Sequence, residues 1–206
     1  MTRKEEIVKA TLDLAAERGL GAVTLSQIAD RVGIRKPSLY NHFASKDEIV
    51  QEAYRFLRAR ACERKAAFDG DYAGLIGDKG LEEVLLTSFE SYGAFVLDED
   101  LLRLWRVLYA ERTTSPVAAQ IVLEESEHMV RQVKSLFYAL VIHGRLSCDD
   151  VDMAALSYAM TIHALVDHQL DKLTAASTQA CDDSALFDEA KRYIVWFSRQ
   201  MGARHA

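Results

Sequence analysis

Between Arg35 and Phe43 the chain sets two cationic side chains, a hydroxyl, a phenol, an amide and an imidazole around two apolar residues. They are Arg35, Lys36, Ser38, Tyr40, Asn41 and His42, with Leu39 and Phe43 facing inward. Every one of these polar groups can donate a hydrogen bond, which suits a surface rich in acceptors and negative charge, such as DNA. Two short helices are needed to position them. Thr24 and Gln27 have the spacing of a capping box, and Leu25, Ile28, Ala29 and Val32 share one helical face. Gly33 falls where a tight turn requires positive φ. A second helix begins after Ile34 with Pro37 in its first turn, where a missing N–H costs nothing. Together they have the layout of a helix-turn-helix.

The rest of the chain has to support that motif. With 206 residues, half of them hydrophobic, there is ample material for a packed core. The charged start, Met1 to Glu6, carries no apolar leader, and the longest apolar run, Leu136 to Ile142, is far below the roughly 18 residues that span a bilayer. Cys62, Cys148 and Cys181 are widely spaced, which argues against a disulfide framework or a zinc finger. A cytoplasmic protein without membrane contact is expected. The net charge of −6 conceals a division: residues 1–60 hold 11 Lys/Arg against 8 Asp/Glu, a net +3, and residues 61–206 hold 14 against 23, a net −9. A basic head can bind a polyanion despite an acidic body, because charges beyond about 8 Å are largely screened at physiological salt.

Only Pro37 and Pro116 interrupt the pattern, and no stretch alternates as a strand would, so the chain reads as all-α. A first helix over about Arg3 to Arg18 buries Ile7, Thr11, Leu14 and Ala15 and ends at Gly19 and Gly21, completing a three-helix head. Ser45 to Glu48 forms a second capping box and opens a long connecting helix that carries Ile49, Val50, Ala53, Tyr54 and Leu57 toward about Ala67. A loop is expected between Phe68 and Gly80. Five amphipathic segments follow, with breaks near Leu97, Thr113 to Pro116, Gly144 to Cys148 and Thr174 to Asp183, making the body a helical bundle. The expected division is a helix-turn-helix domain over 1–47 and a helical body over 48–206. Val151 to Val166 is apolar almost all round and Leu186 to Met201 is over-supplied with apolar surface, so a two-helix dimer face is expected there. Its candidates are Val151, Ala155, Tyr158, Ile162, Leu165, Ile194 and Phe197.

The charged first helix, the Thr-capped second, Gly33-Ile34, Ser38-Leu39-Tyr40-Asn41-His42-Phe43 and Ser45-Lys46-Asp47-Glu48 make the first 55 or so residues resemble the DNA-binding domain of TetR-type transcriptional regulators. The resemblance implies that Thr24, Tyr40, His42 and Lys46 meet DNA phosphates, and that Arg35, Lys36, Pro37, Ser38 and Asn41 lie where family members read base edges. Arg35 departs from the Ser that such proteins often carry as an N-cap. The resemblance further implies a homodimer on a roughly palindromic double-stranded operator, repression rather than catalysis, and a ligand-binding, dimerising body. The recognition helices would then lie one helical turn, about 34 Å, apart or a multiple of it.

For an effector, Phe89, Tyr92, Phe95, Trp105, Tyr109, His128 and Phe137 could stack against a flat apolar molecule, with Arg106 or Glu127 setting its charge. No cofactor or bound metal is expected. The competing reading is a metal-sensing or metal-dependent helical protein using His163 and Asp167, four residues apart on one helix, with His168 nearby.

Overall fold

The computed structural model describes residues 2–64, 72–175 and 187–202, with side chains of 60–64 excluded. Ten α-helices cover most of them: α1 (Arg3–Arg18), α2 (Leu25–Val32), α3 (Lys36–Tyr40), α4 (Lys46–Arg64), α5 (Tyr72–Ile76), α6 (Leu81–Val96), α7 (Glu99–Glu111), α8 (Pro116–Ile142), α9 (Val151–Ala175) and α10 (Asp188–Met201). Among the described residues the extended pairing is limited to an isolated antiparallel bridge between Leu146 and Gly202. No described helix is long and apolar enough to cross a membrane.

The helices start and stop for local reasons that the sequence announces. Thr2 caps α1 with Glu5 closing the box, and Thr24 caps α2 with Gln27 doing the same. Asp98 caps α7 by accepting from the Leu101 amide at 3.3 Å. At α4 the expected box is half formed: the Ser45 hydroxyl accepts from the Glu48 amide, but the Glu48 carboxylate reaches past Ser45 to the Ala44 amide at 2.6 Å. Two short pieces were not anticipated. A 3₁₀ turn over Leu20–Ala22 follows α1, and α5 occupies part of the expected Phe68–Gly80 loop. The expected end of α4 near Ala67, the Leu186 start of the last segment and most of the Thr174–Asp183 break fall outside the described residues.

The chain forms two compact units, 1–67 with 91–125, and 68–90 with 126–206, so α6 and α8 each contribute to both. In the first unit α1, α2, α3 and α4 close over a core that holds Ile7, Leu14, Ile28, Leu39, Phe43 and Ile49. That core does not end with the head. Leu101, Leu104 and Leu108 on one face of α7, with Ala118 and Ile121 of α8, belong to the same cluster. Polar ties run alongside: Arg103 bonds to Asp13 of α1 at 3.2 Å, and the Gly21 amide donates to Glu111 of α7 at 3.2 Å. Glu125 of α8 accepts from the Tyr54 hydroxyl at 2.7 Å and pairs with Arg58, both on α4.

In the second unit the core is aromatic. Phe137 of α8, Tyr158 of α9 and Phe197 of α10 pack with centroids 5.0–5.8 Å apart, and Tyr193 joins them. Phe89 of α6 meets Phe187 edge-on at 5.6 Å.

The Arg58–Glu125 pair is mostly covered, at 21% and 14% side-chain exposure. Glu125→Ala leaves an uncompensated cation there, and a loss of about 2–3 kcal/mol is expected. Urea unfolding of the variant checks this; a loss no larger than that of an exposed pair such as Lys172–Glu189, below about 1 kcal/mol, would contradict it.

Candidate nucleic-acid interface

The turn between α2 and α3 is built on Gly33, whose φ of 74° and ψ of 32° lie in the left-handed region. The Ile34 amide donates back to the Ala29 carbonyl at 2.9 Å, so the last carbonyls of α2 are satisfied and the chain reverses sharply. Arg35 then stands at the N-cap of α3 in extended geometry, with no side-chain cap, as its departure from Ser implies. In place of a side-chain cap, its carbonyl accepts from the Ser38 and Leu39 amides. Pro37 occupies the first turn.

Leu39 and Phe43 are 0% and 1% exposed, and this anchorage decides what the helix presents. Arg35, Lys36, Pro37, Ser38, Tyr40 and Asn41 are all exposed, His42 is half-buried, and Tyr40 is an exposed large hydrophobic residue of the head at 49%. Among the described residues neither Arg35 nor Lys36 enters an ion pair. Arg31, by contrast, is held by Glu17 through bonds of 3.1–3.2 Å, which keep the Glu17 carboxyl below its usual range. Within the helix-turn-helix, the cations aimed outward are therefore Arg35 and Lys36.

Two residues expected at phosphates carry structural duties. The Thr24 hydroxyl accepts from the Gln27 amide at 3.3 Å and lies 3.0 Å from the Gln27 side-chain oxygen, while remaining exposed. Lys46 is partly buried, and its ammonium donates to the Leu20 and Val23 carbonyls at 2.7 and 3.1 Å. Two of its three donors thus tie α4 to the 3₁₀ turn. Lys4, which the sequence does not single out, sits 5.4 Å from the Phe43 ring centroid and brings a further cation to the foot of α3. That proximity is visible only once α1 is folded against α3.

The effector candidates are divided between the units. In the first, half-buried Trp105 meets Tyr54 and Tyr109 edge-on at 5.9 and 6.2 Å, and Arg58 lies over Phe95 at 5.3 Å. In the second, Phe89 and Phe137 are buried among neighbouring rings, and His128 is half-buried. Tyr92, on the part of α6 that belongs to the first unit, is also half-buried.

The dimer candidates lie mostly inside their own unit. Ala155, Tyr158, Ile162, Ile194 and Phe197 are each no more than 5% exposed, while Val151 and Leu165 are partly covered. The apolar residues left facing out are Met153, Leu156 and Met160 of α9, Trp196 of α10 and Tyr138, Val141 and Ile142 of α8. The physical reason is that α8 and α10 take up one side of α9, and an all-apolar helix does not declare which side that is.

The metal reading gains no support. His163 and Asp167 face each other at 3.6 Å, but among the described residues no three His, Cys, Asp or Glu side chains are grouped to hold an ion.

A capped helix, a left-handed glycine turn and a short second helix pinned by two buried residues define a helix-turn-helix protein. Residues 7–53 match the bacterial regulatory proteins of the tetR family, and residues 83–190, more than half of the chain, match the C-terminal domain of AefR-like transcriptional repressors. The chain belongs to the TetR family, whose members are DNA-binding regulators rather than enzymes. The HTH-type transcriptional repressor KstR2 of Mycobacterium tuberculosis (strain CDC 1551 / Oshkosh) is 48% identical over 54 residues, 26% of this chain and 27% of that protein. KstR2 of Rhodococcus jostii (strain RHA1) is 38% identical over 93 residues, 45% of this chain and 44% of that one. The matched segment thus spans about a quarter to under half of these relatives' length. A TetR family regulator from Pseudomonas syringae pv. tomato str. DC3000 shares the fold over 98% of both chains, with a TM-score of 0.72 at 23% identity.

These placements separate the roles of three residues. Tyr40→Phe is expected to keep stability and weaken binding to all DNA alike, and Asn41→Ala to keep stability and relax preference at one base position by about 1–3 kcal/mol. Lys46→Met is expected to lose about 1–2 kcal/mol of folding stability, because the Val23 carbonyl loses this donor while Leu20 keeps only the Val23 amide. Urea unfolding beside competitive DNA binding checks all three; unchanged binding in the Tyr40 and Asn41 variants would remove α3 as the reading element.

Proposed function

We propose that the protein is a cytoplasmic transcriptional repressor that binds a palindromic operator as a homodimer and is released by a small apolar or aromatic effector. The observation that carries this reading is the outward set of donors on α3, held in register by two fully buried residues of the same helix-turn-helix. Residues 1–47 would read DNA and residues 48–206 would bind effector and partner, a functional division that does not follow the packing of Ser91–Glu125 with the head. Arg35, Lys36, Pro37, Ser38 and Asn41 would meet base edges, and Thr24, Tyr40, His42 and the remaining donor of Lys46 would meet phosphates.

For release, the first unit offers a specific device. Tyr54 and Arg58 of α4 both terminate on Glu125, and half-buried Phe95 and Trp105 lie against them. An effector stacking on those rings would bind better to one setting of the Glu125 contacts than to the other, which is what a shift of α4 requires. Tyr109 adjoins this group, whereas Phe89 and Phe137, packed in the second unit, would serve the effector only after repacking.

For the partner, the face of Met153, Leu156 and Met160 with Trp196 is the exposed apolar surface an isologous contact needs. Met160→Glu should yield monomers by sedimentation velocity and cost operator affinity at least about tenfold, one charge buried against an apolar partner being prohibitive. Selection of bound DNA from a random pool tests the whole reading. Enrichment of two inverted half-sites centred about 10 base pairs apart, or a multiple, is expected; failure to enrich any sequence, with no salt-dependent binding, would refute it.

A further inference from the structure

In the second unit a cavity of about 270 Å³ opens between the start of α6, the turn after α8 and the end of α10, and none of its lining residues has a role above. Its lining includes Gly80, Leu81 and Glu82 at the start of α6, Arg145 in the turn after α8, and Ser198 and Arg199 near the end of α10. Gly144, with φ of 66°, ends α8, and the Arg145 amide turns back to the Leu140 carbonyl at 2.8 Å, which brings the arginine to the cavity.

Two polar atoms there are buried and have no hydrogen-bond partner among the described residues: Nε of Arg145 and Oγ of Ser198, the latter on a residue only 7% exposed. Native structures rarely leave such donors orphaned, and a missing acceptor from outside the chain is one cause. The surrounding charge specifies what kind of acceptor. Arg145 and Arg199 bring two guanidinium groups, against the carboxylate of exposed Glu82. Glu83 shares the first turn of α6 but does not line the cavity. The sixteen-residue α6 starts here, preceded by Gly80, which has no side chain to accept the first-turn N–H groups.

We propose that this cavity binds a small organic anion, whose carboxylate or phosphate is held by Arg145, the Ser198 hydroxyl and the N-terminus of α6, with Leu81 against its apolar part. The volume suits a ligand smaller than most drug-sized molecules. The site shares no residue with the aromatic group proposed for the effector, and it stands whether or not the chain binds DNA.

Isothermal titration of the full-length protein with butyrate, inorganic phosphate and butyramide tests this. Saturable binding of one or both anions is expected, with no binding of the neutral amide; which anion binds tells carboxylate from phosphate recognition. Arg145→Gln should weaken binding at least about tenfold, as loss of a charge-assisted bond does. Gly80→Asp, where an added Cβ meets nothing within 4 Å, places a carboxylate at the same helix end. It should abolish anion binding without lowering the melting temperature. Absence of saturable binding by either anion, equal binding of butyramide, or undiminished affinity in both variants would overturn the proposal.

Discussion

Everything at the DNA-facing end depends on the packing of α7 against α1 and α4. A helix of five residues such as α3 has no stability of its own, since nucleating a helix costs more than one turn returns. It exists because Leu39 and Phe43 are buried, and the core that buries them is shared with Leu101, Leu104 and Leu108. Burying three leucines contributes on the order of 5 kcal/mol, a large fraction of the stability of a domain this size. The bonds from Arg103 to Asp13 and from Gly21 to Glu111 add direction to that apolar contact, fixing α1 and the 3₁₀ turn relative to α7.

The same packing explains how a regulator can afford polar groups in partly covered places. Tyr54, Arg58 and Glu125 satisfy one another, so their burial carries no orphaned charge, and burial together with the Glu125 carboxylate pushes the Tyr54 phenol well above its usual range. Its hydroxyl therefore remains a donor at any physiological pH. The three groups lie where the helix that follows α3 meets α8, the contact on which the proposed release would act.

Much of this was legible in the sequence because it is local. The cap at Thr24, the left-handed Gly33, the inward Leu39 and Phe43, and the buried row from Ile49 to Leu57 follow from spacing and residue type. The five helices of the body and most of their breaks follow likewise. What escaped is what tertiary packing decides. Lys46 has the sequence context of a phosphate contact, yet two of its donors turn inward because the Leu20–Ala22 turn leaves carbonyls in reach. On α9 the pattern showed an excess of apolar surface but not its division: Tyr158 and Ile162, candidates for a dimer face, are buried within their own unit, while Met153 and Met160 face out. Ser198 and Arg145, far apart in sequence, carried no signal at all until the ends of α8 and α10 met.

Because they share one core, the reading head and α7 should open as one cooperative unit rather than as a head tethered by α4 alone. Native-state hydrogen exchange measures this directly, because residues that open together share one opening free energy. The amides of Leu14 in α1, Val50 in α4 and Leu104 in α7 are expected to exchange through a common opening at the highest free energy of that unit. Exchange of α1 and α4 through a separate opening several kcal/mol easier, with α7 still protected, would contradict it.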